Sequence, residues 1–164
     1  MAPLSSVCKI NIDGSRINFS GLIGIGGLLR DSCGSWIKGF SVNLGYGSII
    51  EAGLWGLNMA WDASFHMVEI ECDATSAVAL LKSLIVSTHP LFSIINYCKM
   101  KIHEDWCCFV KHIFHEQNCA ADALVAKNYD FGPCFYVFLE APAFLNAMLA
   151  VDVRGVARPR LVYV

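Results

Sequence analysis

Apolar and polar residues alternate from Val7 to Asp13, with Cys8, Ile10 and Ile12 on one side and Lys9, Asn11 and Asp13 on the other. A period of two is the mark of a strand, and Asp13-Gly14-Ser15 reads as the turn that ends it. Gly21 to Arg30 forms a second strand, rich in Gly24, Gly26 and Gly27. The short turn Asp31-Ser32-Cys33-Gly34 leads into a third strand, Ser35 to Asn43, and Gly45-Tyr46-Gly47 closes this antiparallel meander. The period then changes. Ser48 followed three residues later by Glu51 is a capping-box signature, and Ile50, Leu54, Leu57 and Trp61 recur at helical spacing, which predicts a helix over 48–64.

His66 to Cys72 reads as a fourth strand, on which Glu69 and Glu71 alternate with Ile70 and Cys72 and are expected to face solvent. Ala74 to Val86 follows as a helix with Val78, Leu81 and Ile85 on one face. Pro90 begins another, with Leu91, Ile94, Ile95, Cys98 and Ile102 inward. Trp106 to His115 is a fifth strand and Asn118 to Asn128 a helix. Trp36, Trp55, Trp61 and Trp106 each lie in an apolar-periodic element and are expected in the core. The order of elements predicts an α/β domain over residues 1–129. Residues 130–164, with Pro133, Pro142 and Pro159, read as a C-terminal tail packed on or extending that domain, and Ala143 to Ala150 can add one short helix. The chain starts almost directly at its first strand, a pattern compatible with a place in a longer open reading frame.

Composition narrows the class. A hydrophobic fraction of 55% against 16% charged residues excludes a disordered chain, and 164 residues suffice for one domain with a substantial core. The formal charge of -2 provides no broad basic field, so any grip on nucleic acid must come from a local patch. The eight cysteines are scattered through apolar pattern without a CxxC pair matched by a second Cys or His pair, which argues for reduced core thiols rather than a zinc site or a disulfide scaffold. The N-terminus lacks the apolar run of a secretory signal, and Glu140, Pro142 and Asn146 interrupt the apolar stretch from Phe135 to Val151. A soluble intracellular protein is expected, with nucleus and cytosol both open.

Three acidic motifs carry the chemistry: Lys9-Ile10-Asn11-Ile12-Asp13-Gly14-Ser15, Glu69-Ile70-Glu71-Cys72-Asp73 and Asn118-Cys119-Ala120-Ala121-Asp122-Ala123-Leu124. Taken singly, Asp13 reads as a turn residue and Asp122 as a solvated helix position. Further stretches stand in order with them: Gly26-Gly27-Leu28-Leu29-Arg30-Asp31, Gly34-Ser35-Trp36-Ile37-Lys38-Gly39-Phe40, His112-Ile113-Phe114-His115-Glu116-Gln117-Asn118 and Asp152-Val153-Arg154-Gly155-Val156-Ala157-Arg158-Pro159-Arg160. In this combination the chain resembles the plant retroelement-derived, reverse-transcriptase-like branch of type 1 ribonuclease H, from about Val7 to the C-terminus. The resemblance implies a ribonuclease H-like fold: a central mixed five-stranded sheet, strands one to three antiparallel and then strands four and five, flanked by helices. It also implies an endonuclease that cuts the RNA strand of an RNA-DNA hybrid with Mg2+ or Mn2+. Asp13, Asp73 and Asp122 match three of the family's four catalytic, metal-binding acids. Oxygen ligands of this kind suit two-metal hydrolysis, in which paired cations about 3.5–4 Å apart activate water and stabilise the leaving oxygen.

The fourth acid is missing. Where the family carries Ala-Glu-Leu-Trp-Ala or Ala-Glu-Leu-Trp-Gly, this chain reads Glu51-Ala52-Gly53-Leu54-Trp55-Gly56-Leu57, and Gly53 takes the place of the glutamate that, by resemblance, places a cation and meets a ribose hydroxyl. Glu51 stands two residues earlier, roughly 200° around the helix, and is expected to serve the cap instead. Two smaller departures are Ala74 where the family often has serine, and His115 in place of the arginine of an Arg-Glu-x-Asn loop, where neutral imidazole would offset phosphate charge less well. His112 matches the histidine usual in this branch; near a strand end it is expected to be a structural hydrogen-bonder. The expectation is weak or lost hydrolysis and weak binding to RNA-DNA hybrid or other nucleic acid, the alternative being a catalytically silent ribonuclease H-like binding or interaction module.

Overall fold

The computed structural model describes residues 8–62, 67–72, 75–103, 107–130 and 132–153. Its centre is β1 (Cys8–Arg16), which pairs antiparallel with β2 (Leu22–Arg30) on one edge and parallel with β4 (Met67–Cys72) on the other. Outside these lie β3 (Trp36–Tyr46), antiparallel to β2, and β5 (Cys107–His112), parallel to β4. The sheet order is β5-β4-β1-β2-β3-β6. The sixth strand, β6 (Phe135–Phe138), falls within the stretch expected as a tail and pairs antiparallel with β3. The five expected strands are all present, and β-branched and aromatic residues in Phe-Tyr-Val-Phe explain the additional one.

β1 does not end at Asp13. Pairing continues through Asp13↔Gly26, Gly14↔Ile25 and Ser15↔Gly24 to Arg16↔Ile23, and the chain reverses at 18–20 ahead of Gly21, whose φ of 73° only glycine adopts without strain. Gly14 is a packing residue rather than a turn residue. A Cβ built on it would fall 2.9 Å from the Ala52 Cβ and 3.0 Å from the Gly53 nitrogen. The turn at Asp31–Gly34 forms as expected: the Asp31 carboxylate accepts from the Cys33 and Ser35 amides at 2.9 and 2.8 Å.

Helices cover both faces. On one lie α1 (Ile49–Asp62), α2 (Thr75–Lys82) and α3 (Phe92–His103), packed through Leu57, Val78 and Cys98 on Ile10, Ile12, Leu29, Ile70 and Cys72. On the other lie α4 (Cys119–Asn128) and α5 (Asn146–Val153), with Leu124 and Leu145 in contact with the cluster around Leu28. A short helix was expected over 143–150, and a 3-10 turn at Ala143–Leu145 leads into α5 there. The capping box forms: the Ser48 amide donates to Glu51 Oε2 at 2.6 Å and the Glu51 amide to Ser48 Oγ at 3.2 Å. No helix among the described residues is long and apolar enough to cross a membrane. The cysteines described as free include buried Cys8, Cys72 and Cys98, the last pushed up to about 11 by burial.

Two expectations need correction. Trp55 is 43% exposed, because it sits one residue off the stripe that buries Leu54. Trp36 is half-buried, while Trp106 and the Trp61 side chain lie outside the described residues. Glu71 does not face solvent either; it is 7% exposed. β1 is covered on both faces, and the register Asn11↔Glu71 sets that carboxylate against polar partners. Asn11 Nδ2 donates to it at 2.8 Å and Lys9 Nζ at 3.1 Å, Lys111 lies 3.7 Å away, and Arg30 donates to Asn11 Oδ1. Glu69 is half-buried between the same two lysines, 3.8 Å from Lys9 and 3.6 Å from Lys111.

Burial pushes the Glu71 carboxyl up, but the hydrogen bonds from Asn11 and Lys9 and the charges of Lys9 and Lys111 outweigh it and hold its pKa below the ordinary value. A depressed folded pKa gives stability that is present above the unfolded pKa and lost as pH falls through the folded one. Glu71→Gln is therefore expected to cost about 1–3 kcal/mol at neutral pH. The gap to the parent should narrow below about pH 4. Urea unfolding at pH 7 and in acid would check both, and a gap independent of pH would count against the ion pairs.

Candidate functional site

Asp13 is 6% exposed and sits on the α4 face of β1, opposite Gly26 of β2. That pairing decides how close α4 can come. A Cβ on Gly26 would fall 2.6 Å from the Val125 nitrogen and 2.9 Å from the Ala121 carbonyl oxygen, so the helix backbone rests directly on the sheet beside the acid. Ser41 Oγ donates to the Leu124 carbonyl at 2.7 Å, and Asn128 Nδ2 donates to the Val42 carbonyl, fixing α4 to β3 as well. Its first turn is held by Asn118, 1% exposed, whose Nδ2 donates to the Ile12 carbonyl at 2.8 Å and whose own carbonyl accepts from the Asp122 amide at 3.0 Å. One side chain thus ties the residue before Asp13 to the turn that bears Asp122. A carboxylate in the first helical turn also lies at the positive end of the helix dipole.

Between β5 and α4 the chain makes a 3-10 turn at His115–Gln117, with the Gln117 amide on the Phe114 carbonyl and the Asn118 amide on the His115 carbonyl, both at 2.9 Å. This turn brings an unexpected third member to the acids. One ligand atom each from Asp13, Asp122 and His115 all lie within 4.8 Å of one another, with Asp13 buried, Asp122 half-buried and His115 exposed. Two carboxylate oxygens and an imidazole nitrogen at this spacing suit one divalent cation. Sequence reasoning took His115 only as a weak substitute for a phosphate-binding arginine. The available signal was its position three residues before the helix-starting Asn118 and seven before Asp122, within reach of the same first turn.

The second acid of the motif set, Asp73, lies outside the described residues. It follows directly on Cys72, the last residue of β4, whose register partner is Ile12. Gly53 is buried in α1, and its nitrogen meets the place where a Cβ on Gly14 would be, next along β1 from Asp13. Glu51 is engaged in the cap with Ser48. His112 has its Nε2 3.0 Å from Thr75 Oγ1 and its ring edge-on to Phe114. A separate cavity of about 320 Å³, lined by Ile10, Leu29, Phe40, Met59, Phe135 and Val137 among others, opens on the α1 face of the sheet, opposite to the acids.

Residues 11–128 match the family model described as reverse transcriptase-like. The chain belongs to that family. Over 166 aligned residues it is 34% identical to a protein of Arabidopsis thaliana provisionally named a ribonuclease H protein; the match takes in 99% of this chain and 27% of that protein, so the chain spans about a quarter of its relative's length. Among solved structures it is similar to LC11-RNase H1 in complex with an RNA/DNA hybrid, with a TM-score of 0.62 and 23% identity over 75% of this chain and 96% of that one. A second structure of LC11-RNase H1, isolated from compost, matches with a TM-score of 0.62 at 25% identity over 76% of this chain and 96% of that one. The N-terminal ribonuclease H domain of a Mycobacterium tuberculosis protein matches with a TM-score of 0.63 at 16% identity over 77% and 95% of the two chains. The fold is ribonuclease H-like.

If Glu51 serves the helix start alone, Glu51→Ala should lower stability by about 1 kcal/mol. Cation binding at Asp13 and Asp122 should be unchanged, as read by calorimetric titration of the variant. A loss of binding in a folded variant would mean that Glu51 reaches the site.

Proposed function

We propose that this domain engages RNA-DNA hybrids beside Asp13 and Asp122, and that its hydrolytic step is weak or lost because Gly53 stands where the family has a glutamate. The observation that carries this reading is the meeting of Asp13, Asp122 and His115 at the β1–α4 contact, while α1, packed on the other face at the neighbouring Gly14, bears no side chain at Gly53. Asp13 and Asp122 would hold a divalent cation, and Asp73, by its motif, would complete the set. Such a cation supplies activation of water and charge stabilisation in phosphodiester hydrolysis. Gly53 offers neither a carboxylate for it nor an acceptor for a ribose 2'-hydroxyl, the group by which a protein tells RNA from DNA. Rate and selectivity would fall together. With a formal charge of -2 the grip on nucleic acid would be weak and salt-sensitive.

A second reading, a catalytically silent binding or interaction module, is favoured by the engagement of Glu51 in its capping box, which leaves the neighbouring glutamate unable to substitute. We assign residues 1–129 to the ribonuclease H-like unit and 130–164 to an extension of the same domain, through β6 and α5.

Cleavage of labelled hybrid in Mg2+ and in Mn2+ is expected to be slight for the natural chain and to rise measurably in Gly53→Glu, which also removes a helix-interior glycine worth about 1 kcal/mol. Equal, robust activity in both proteins would show that Gly53 is not the missing station. Titration of hybrid, duplex DNA and single-stranded RNA at two salt concentrations should favour the hybrid. No preference among the three would remove hybrid binding from the proposal.

A further inference from the structure

We infer that His115 is a direct cation ligand and that the site at Asp13 and Asp122 selects a borderline transition ion of the Zn2+ class over Mg2+. The inference deepens the proposed site and rests on cation binding there, independent of hydrolysis and of hybrid binding. Three observations lead to it. The first is the donor set: two carboxylates and one imidazole, each with an atom within 4.8 Å of the others. Mg2+ is bound through oxygen and keeps much of its water, whereas imidazole is a preferred ligand of zinc and its neighbours. Among the described residues these are three of the four donors of a tetrahedral zinc site, which leaves the fourth position to Asp73 or to water.

The second observation is that α1 adds no carboxylate. Gly53, next to Gly14 of β1, has no side chain, and Glu51 is held by Ser48. An oxygen donor that α1 does not supply matters most for the ion that depends on oxygen alone. The third is Asn118, between His115 and Asp122 in the chain and 1% exposed, whose Oδ1 has no hydrogen-bond partner among the described residues. A buried acceptor of this kind calls for a water or an ion nearby. Access is open, since His115 is exposed and Asp122 half-buried.

The test is calorimetric titration of the whole chain with Zn2+ and, separately, with Mg2+. A Cys33→Ser, Cys134→Ser background removes the two thiols that are exposed among the described residues and would compete for zinc. Zn2+ is expected to bind at least about 100-fold more tightly than Mg2+, following the preference of nitrogen-containing sites. His115→Ala should weaken Zn2+ by at least about tenfold and leave Mg2+ nearly unchanged. His115→Gln, which restores an oxygen donor on the same exposed turn, should recover little Zn2+ affinity. Zn2+ binding lost in Asp13→Asn but kept in His115→Ala would overturn this inference while the carboxylate site of the proposed function stands. Zn2+ binding untouched by either substitution would place the ion elsewhere and overturn the inference, with the hybrid titration still deciding the proposed function. Mg2+ bound as tightly as Zn2+ would overturn the selectivity.

Discussion

Two backbone contacts, one on each face of the sheet, govern where everything near Asp13 can be. Gly14 lets α1 rest on β1 from one side, and Gly26, the register partner of Asp13, lets α4 rest on β2 from the other. The nearest atoms in both contacts are backbone or Cβ, so neither can be adjusted by rotamer changes; a methyl group at either glycine would have to displace the helix backbone. Asp122 reaches Asp13 because α4 lies this low, and Asn118 then locks the helix start to the carbonyl of Ile12. On the other side the same closeness sets Gly53 beside the Asp13 end of β1. The closeness of Asp13 and Asp122 is thus a property of the sandwich.

The α4 face of β1 and β4 holds carboxylates in two different settings. Glu71 has its charge met by Lys9, Lys111 and Asn11, and a group so satisfied has little left to offer an ion. Two residues along the partner strand, Asp13 lies with Asp122 and His115, one ligand atom of each within 4.8 Å of the others. The two clusters differ in composition: lysines and an asparagine surround Glu71, whereas a second carboxylate and an imidazole stand near Asp13.

Much of this was legible in the residues. The alternation in Cys8, Ile10 and Ile12, the cap of Ser48 and Glu51 and the turn at Asp31 each depend on neighbours in sequence, and each has the structure its pattern implies. What local pattern could not carry was long-range packing. Gly14 has the composition of a turn, and its part as a contact for Ala52 and Gly53 exists only once α1 has docked. Glu71 alternates like a surface residue because the pattern cannot tell a second polar partner from water. His115 was hidden in a loop, its place fixed by the 3-10 turn and not by periodicity. Phe135 to Phe138 was too short, and too near prolines, to distinguish a strand from a greasy tail.

That last strand alters the way the domain meets its own kind. β3 is 11 residues long, and with β2 on one side its other side would present a row of unsatisfied amides and carbonyls. β6 occupies the middle of that row, from Gly39 to Val42, and leaves as the outermost rung a strand of only four residues. A short rim is a poor template for strand addition by another chain. With the late segment in place, β3 no longer offers its full length for strand addition.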